Sequence, residues 1–150
     1  MSLGKYKGKR NFQKTPEPVG DAEAKVEGKT YVIHKHQATH LHWDLRLEME
    51  GVLKSWAVPK EPPTEPGVRR LAVAVEDHPL EYASFSGVIP EGEYGAGVVE
   101  VWDKGTYAPV SVKEDKMVFE LHGERLRGRY CLVKTKFGKG NNWLFFKMKE

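Results

Sequence analysis

Two imidazoles, a carboxylate and a guanidinium, His36, His42, Asp44 and Arg46, fall close together in the stretch HKHQATHLHWDLRLE. If residues 31–36 and 41–48 pair as a hairpin, His36 and His42 stand opposite one another, with β-carbons about 5 Å apart. Asp44 follows two residues on, on the same face. Three side chains can then converge on one ion and leave positions for water or substrate. Nitrogen and oxygen donors without thiolate suit manganese, zinc or ferrous iron, and spacing does not choose among them. Arg46 is next on that face, where a planar guanidinium can grip phosphate through two hydrogen bonds. A metal beside an arginine points to an anionic, phosphoryl substrate. Polar faces of antiparallel strands also carry such residues without any function. The upstream His36 argues against that alternative. His40 shares the parity but sits at the turn and is read as a bystander.

His78 ends an extended run, between Asp77 and Pro79. It is placed to protonate a leaving oxygen or to grip phosphate, unless it merely caps backbone. Tyr82, Lys60 and Arg70 are further candidates. Arg70 precedes His78 by eight residues, which a straight strand would separate by about 26 Å. Either that strand bends strongly or one of the pair lies outside the site. His34 and His122 read as surface or packing residues. The glycine-rich loop at 92–97 lacks the Gly-Lys-Ser/Thr ending of a nucleotide loop and reads as turns. No serine or cysteine nucleophile stands in a recognisable setting, so metal-activated water is the simpler attacker.

These residues need strands to hold them. Leu41, Trp43, Leu45 and Leu47 alternate with His42, Asp44, Arg46 and Glu48, the period of a half-buried strand. Its polar face is expected to look outward to solvent. Further strands are predicted at 30–36, 52–58, 69–77, 98–102, 117–121, 129–134 and 143–147. A turn is expected at Lys104-Gly105, a helical turn over Leu80–Phe85 and a hairpin loop over Lys136–Asn142. Residues 1–29 read as an irregular basic segment, with Pro16, Pro18, Gly20 and Gly28 as breakers. The whole reads as one domain. The fold class is all-β: a closed or nearly closed barrel of about eight mostly antiparallel strands with minor helical turns. Closure is favoured because it removes unpaired edges.

The 150 residues are 39% hydrophobic and 30% charged, a globular composition with no run apolar enough for a membrane helix. The single cysteine, Cys131, excludes an internal disulfide and fits a reducing cytoplasm; it reads as a small buried residue. Net charge is +3, but the distribution says more. Lys5, Lys7, Lys9, Arg10 and Lys14 occur in a stretch with no acid. So do Arg125, Arg127, Arg129, Lys134, Lys136 and Lys139. Such clusters suit a polyanion, although a solvated basic surface would look the same.

The strings HKHQATHLHWDLRLEMEGVLKSWAVPK, RRLAVAVEDHPLEYASFSGVIPEGEYGAG and VEVWDKGTY closely resemble the 3′-phosphoesterase domain of bacterial ATP-dependent DNA ligase D. The upstream KRNFQKTPEP resembles that family's N-terminal segment, so the likeness spans nearly the whole chain. The resemblance implies a compact, manganese-binding β-barrel, with cobalt or zinc as other possible metals. Such a barrel removes a 3′-phosphate and trims a terminal ribonucleoside from DNA or DNA/RNA ends, leaving a hydroxyl for end joining. It assigns His36, His42 and Asp44 to the metal. Arg46, Lys60, Arg70 and His78 would surround the phosphate, and Tyr82 would be an active-site tyrosine. Arg10 and Glu17 match residues associated with nucleoside removal. The family commonly has Asp after that arginine; here it is Asn11, an amide that cannot serve as a carboxylate base. The domain usually sits beside polymerase and ligase domains. A stand-alone version, like archaeal and some bacterial ones, would meet its ligase and polymerase in trans, in the prokaryotic cytoplasm at the nucleoid. A monomer is expected. Two other classes fit the residues alone: a ferrous-iron oxygenase using the same two histidines and aspartate, and a non-catalytic nucleic-acid-binding barrel.

Overall fold

The computed structural model describes residues 3–12, 14–17, 29–136, 138 and 140–149. Pro18, Gly20, Gly28 and Lys139, singled out above, lie outside the described residues, as does Phe137 of the predicted hairpin loop. A five-residue helix, α1 (Gly4–Gly8), precedes the strands. They are β1 (Lys29–Gln37), β2 (Leu41–Met49), β3 (Val52–Val58), β4 (Arg69–His78), β5 (Gly87–Ile89), β6 (Gly97–Val112), β7 (Lys116–His122), β8 (Arg127–Lys134) and β9 (Asn142–Lys147). A 3-10 turn at Leu80–Ser84 links β4 to β5, where a helical turn was expected. The sheet runs β1-β2-β3-β4-β9-β8-β7-β6-β5, and β1 also pairs with β6. Eight strands therefore close into an antiparallel barrel, and β5 lies outside it on β6.

Period-2 patterning drives this closure. Tyr31 and Ile33 on β1, Trp43, Leu45 and Leu47 on β2, and Phe119, Leu121, Tyr130, Leu132 and Phe145 opposite them form one buried cluster. Burying each such side chain contributes roughly 1.5–3 kcal/mol before entropy is counted. β2 and β3 join through a two-residue turn with Glu50 and Gly51 both at positive φ, the geometry that matches strand twist. Cys131 is buried, as expected.

Three expectations change. Lys104-Gly105 is not a turn, because β6 runs through it. Gly105 is needed there for a different reason: a β-carbon would collide with the His122 carbonyl where β6 leaves β1 for β7. Residues 1–29 are not uniformly irregular. Besides α1, they bury Tyr6, Thr15 and Glu17. Finally, the polar face of β2 is not a solvent face. Tyr6, Leu53 and Tyr82 form a second buried cluster with Phe12, Leu80, Ala83 and Phe85. Tyr82 of this layer lies against Arg46, and Arg46 and Asp44 are both buried, so the strand is buried on both faces.

Candidate metal centre and phosphate cavity

The β1–β2 register sets His36 directly opposite His42, as the hairpin reading required. Asp44 Oδ2 lies 3.3 Å from His42 Nε2 and 3.7 Å from His36 Nδ1. One donor atom from each residue lies within 4.8 Å of the other two. Donors bonded to one ion at about 2.0–2.2 Å stand roughly 3–3.5 Å apart, so the two Asp44 distances are close to that spacing and a small closure of the set could hold a single divalent ion. The far nitrogens are already engaged. His36 Nε2 donates to the Gly95 carbonyl at 2.7 Å, and His42 Nδ1 donates to the His40 carbonyl at 3.0 Å. Each carbonyl orients its ring and leaves the other nitrogen facing Asp44, where it can present a lone pair to an ion once its proton is displaced. His40 thus contributes backbone only.

Asp44 is 6% exposed. Burial alone would raise its pKa. The Arg46 guanidinium and the hydrogen bonds from His36 and His42 outweigh that and hold it well below the usual carboxylate range. Burial likewise works to lower the pKa of His42. Its hydrogen bond to Asp44 wins, and the pKa is raised. An arriving cation would compete with that proton.

Arg46 is held on every edge. Nε donates to His34 Nδ1 at 3.0 Å, Nη1 to Ser55 Oγ at 2.9 Å and Nη2 to Asp44 Oδ2 at 3.4 Å. Its guanidinium carbon stands 4.9 Å from the Tyr82 ring centroid. His78 sits between two guanidiniums: Arg10 Nη2 is 3.3 Å from its Nε2, and Arg46 Nη1 is 3.2 Å from its Nδ1. The Glu76 carbonyl, 3.0 Å from Nδ1, can only accept. The consistent tautomer donates Nδ1–H to Glu76 and accepts from Arg10 at Nε2. Burial, then Arg46 and Arg10, push the His78 pKa well below that of a free histidine. The ring is therefore neutral.

The N-terminal segment closes the far wall. Arg10 donates to Glu17 at 2.8 Å, to the Tyr6 carbonyl at 3.0 Å and to Glu76 at 3.3 Å. Glu17 also accepts from Tyr82 at 2.7 Å and Thr15 at 3.0 Å. Burial raises the Tyr82 pKa, so the phenol keeps its proton. Together these walls bound a cavity of about 320 Å³, lined by His36, His42, Asp44, Arg46, His78, Tyr82 and Arg10, among others.

Lys60, Arg70 and Asn11 are not brought to this lining. Lys60 and Asn11 are exposed, and Arg70 Nε donates to the Glu61 carbonyl at 2.8 Å. The strand geometry explains Arg70. Ser55 pairs with Val75 but Leu53 pairs with His78, so β4 carries an extra residue there. That bulge flips parity. Arg70 shares the barrel-interior parity of the buried Ala72, whereas His78 faces the cavity. Sequence reading missed two partners. His34, read as a surface or packing residue, is fully buried and accepts from Arg46, and Ser55 is buried against Arg46. The signal for both was parity: His34 pairs with Asp44, and Ser55 pairs with Arg46.

Residues 34–134 match the family described as the DNA ligase D 3′-phosphoesterase domain. The chain belongs to that family. The match begins at His34 and so takes in every residue of the metal set. Multifunctional non-homologous end joining protein LigD of Pseudomonas aeruginosa is 47% identical over 156 residues. The Mycobacterium tuberculosis protein of similar name is 47% identical over 153 residues, and that of Mycolicibacterium smegmatis 44% over 160. Each alignment covers 99% of this phosphoesterase-family chain but only 19–21% of the relative, so the chain spans about a fifth of their length. Among the described residues, no helix is long and apolar enough to cross a membrane.

Proposed function

We propose that this chain is a metal-dependent phosphoesterase that heals nucleic-acid 3′ ends. It removes a 3′-phosphate and trims a 3′-terminal ribonucleoside, leaving a hydroxyl for end joining. The observation that carries this reading is one cavity joining a three-donor metal set to Arg46 and His78. His36, His42 and Asp44 would hold the ion, manganese by family resemblance. When bound, it supplies Lewis-acid polarisation of a phosphoryl oxygen and a water activated for attack. The chain's own groups do the rest. Arg46, already fixed by His34, Ser55 and Asp44, presents a preorganised charge to the phosphoryl oxygens as negative charge builds. His78 is neutral before substrate arrives and so is no resting acid. A phosphate dianion beside it would offset the two guanidiniums and restore its basicity. The Arg10–Glu17–Tyr82 layer excludes water behind the phosphate and offers Arg10 to the strand.

A duplex with a labelled 3′-phosphate, or a recessed 3′-ribonucleotide, should lose that group with manganese and keep it with excess chelator. Product formed equally in both would remove the metal from the reading. DNA binding indifferent to chelator, with no release, would favour the non-catalytic barrel. Activity that requires oxygen would favour the oxygenase.

Arg46→Lys keeps the charge, but one ammonium cannot reach His34, Ser55 and Asp44 together. Turnover should fall about 10²–10³-fold, the usual cost of a lost transition-state donor. Manganese binding should persist, because no arginine atom is a metal ligand. Unchanged kcat in Arg46→Lys would reduce Arg46 to a simple counter-charge.

A further inference from the structure

The loop between β5 and β6 carries Tyr94, an aromatic that neither the core nor the metal set uses. It is 47% exposed and lines the cavity mouth. Tyr82, the other tyrosine of that lining, is buried with its hydroxyl committed to Glu17. Tyr94 instead is half exposed, with its hydroxyl towards Lys9 and the rest of its ring surface open beside two cations. The loop is built to hold that ring in place. Backbone bonds from Glu93 N to the Pro90 carbonyl and from Ala96 N to the Glu93 carbonyl make consecutive turns. Gly92 and Gly95 adopt positive φ on either side. The next residue's carbonyl, Gly95, is the one that orients His36. Tyr94 is therefore tied by a single peptide to the metal site.

Cations cluster around the ring. The Lys9 ammonium lies 4.6 Å from its centroid and 3.2 Å from its hydroxyl, and the Arg10 guanidinium carbon lies 5.4 Å from the centroid. Glu76 steadies both cations, accepting from each at 3.3 Å. An exposed aromatic flanked by lysine and arginine at the mouth of a phosphate cavity has the makeup of a single-strand stacking platform. The ring takes a base, and the cations take the backbone. Ring stacking tolerates any base, which suits an enzyme meeting ends of arbitrary sequence.

We propose that Tyr94 stacks on the base of the nucleoside that carries the cleaved phosphate, and so sets affinity for a base-bearing 3′ end. This rests on reading the cavity as a nucleic-acid 3′-end site. The test compares 3′-phosphate oligonucleotides whose terminal residue is a normal nucleotide or an abasic analogue. With the wild type, the abasic end should show KM raised about tenfold or more, as expected for one lost base–aromatic stack. In Tyr94→Ala the two KM values should become equal, and Tyr94→Phe or Tyr94→Trp should restore the ratio. A loop that had merely loosened around His36 would lower kcat for both ends alike and leave the ratio intact; that result overturns the proposal. A second readout needs no turnover. A 3′-terminal 2-aminopurine should be quenched on binding to chelator-treated wild type and to Tyr94→Trp, but not on binding to Tyr94→Ala. Equal quenching by Tyr94→Ala also overturns the proposal. Tyr94-dependent quenching without manganese-dependent release would sink the enzymatic reading and leave the stacking site standing.

Discussion

Asp44→Asn is expected to fold and to be dead. Of the three proposed metal donors, Asp44 is the one that touches both histidines and Arg46. Its carboxylate is kept ionised inside the protein by those neighbours. The amide keeps an oxygen for Arg46 but loses the charge that offsets an ion. Manganese-dependent phosphate release should fall about 10³-fold or more, since both ion-derived polarisation and the activated water go with it. The stability cost should be about 1.5–3 kcal/mol, because the amide oxygen still accepts from Arg46 but the buried guanidinium loses its counter-charge. Asp44→Ala is the harsher change. It leaves the Arg46 guanidinium, 3% exposed at the residue level, with His34 and Ser55 as neutral partners. Stripping one partner from a buried pair costs up to roughly 3–5 kcal/mol. Parallel urea melts and phosphate-release assays separate the two effects. An Asp44→Asn enzyme within tenfold of wild type would take Asp44 out of the metal set.

The reason Asp44→Ala should also destabilise was not legible in the sequence. Strict alternation from Leu41 to Glu48 gave the strand and its inward face, and hairpin length gave the pairing of His36 with His42. Alternation describes one strand, however, and says nothing of what lies over its polar side. That cover comes from Tyr6, Phe12, Leu80 and Tyr82, in a short helix, a loop and a 3-10 turn, where apolar residues follow no period. The β4 bulge was equally invisible, because adding one residue changes no composition yet reverses which side chains face the cavity. Gly105 misled for a related reason. A glycine breaks a pattern whether the chain turns or two backbones approach closely, and here it is the latter. The family likeness supplied Arg10 and Glu17 as site residues. Only the coordinates show their contacts: Arg10 lines the cavity against His78, and Glu17 meets it through Tyr82.

The covered site also makes the fold acid-labile. Burial, with the Arg46 charge next in weight, pushes the His34 pKa down to about 3, and His78 is lowered for the same two reasons with Arg10 added. Both rings are neutral when folded and take up a proton near pH 6.5 when unfolded. Below that value the unfolded chain binds more protons, so stability falls with falling pH. The contribution is complete above about pH 6.5 and is lost down towards the folded pKa values. His42 does not offset it there. Its pKa is raised, so its effect lies above pH 6.5, where stability is lost as pH rises. Asp44, with a lowered pKa, adds its loss only below about pH 4. Each buried neutral histidine should therefore remove roughly 1–1.5 kcal/mol per pH unit between pH 6 and 4. Two together would exhaust a typical 5–15 kcal/mol of domain stability within a few pH units. Urea melts in chelator across pH 7 to 4 should show a slope near two protons. His34→Gln can still accept from Arg46 Nε but cannot titrate, and it should reduce that slope to about one. A slope unchanged by His34→Gln would mean that His34 is not the neutral ring under Arg46 that the fold requires.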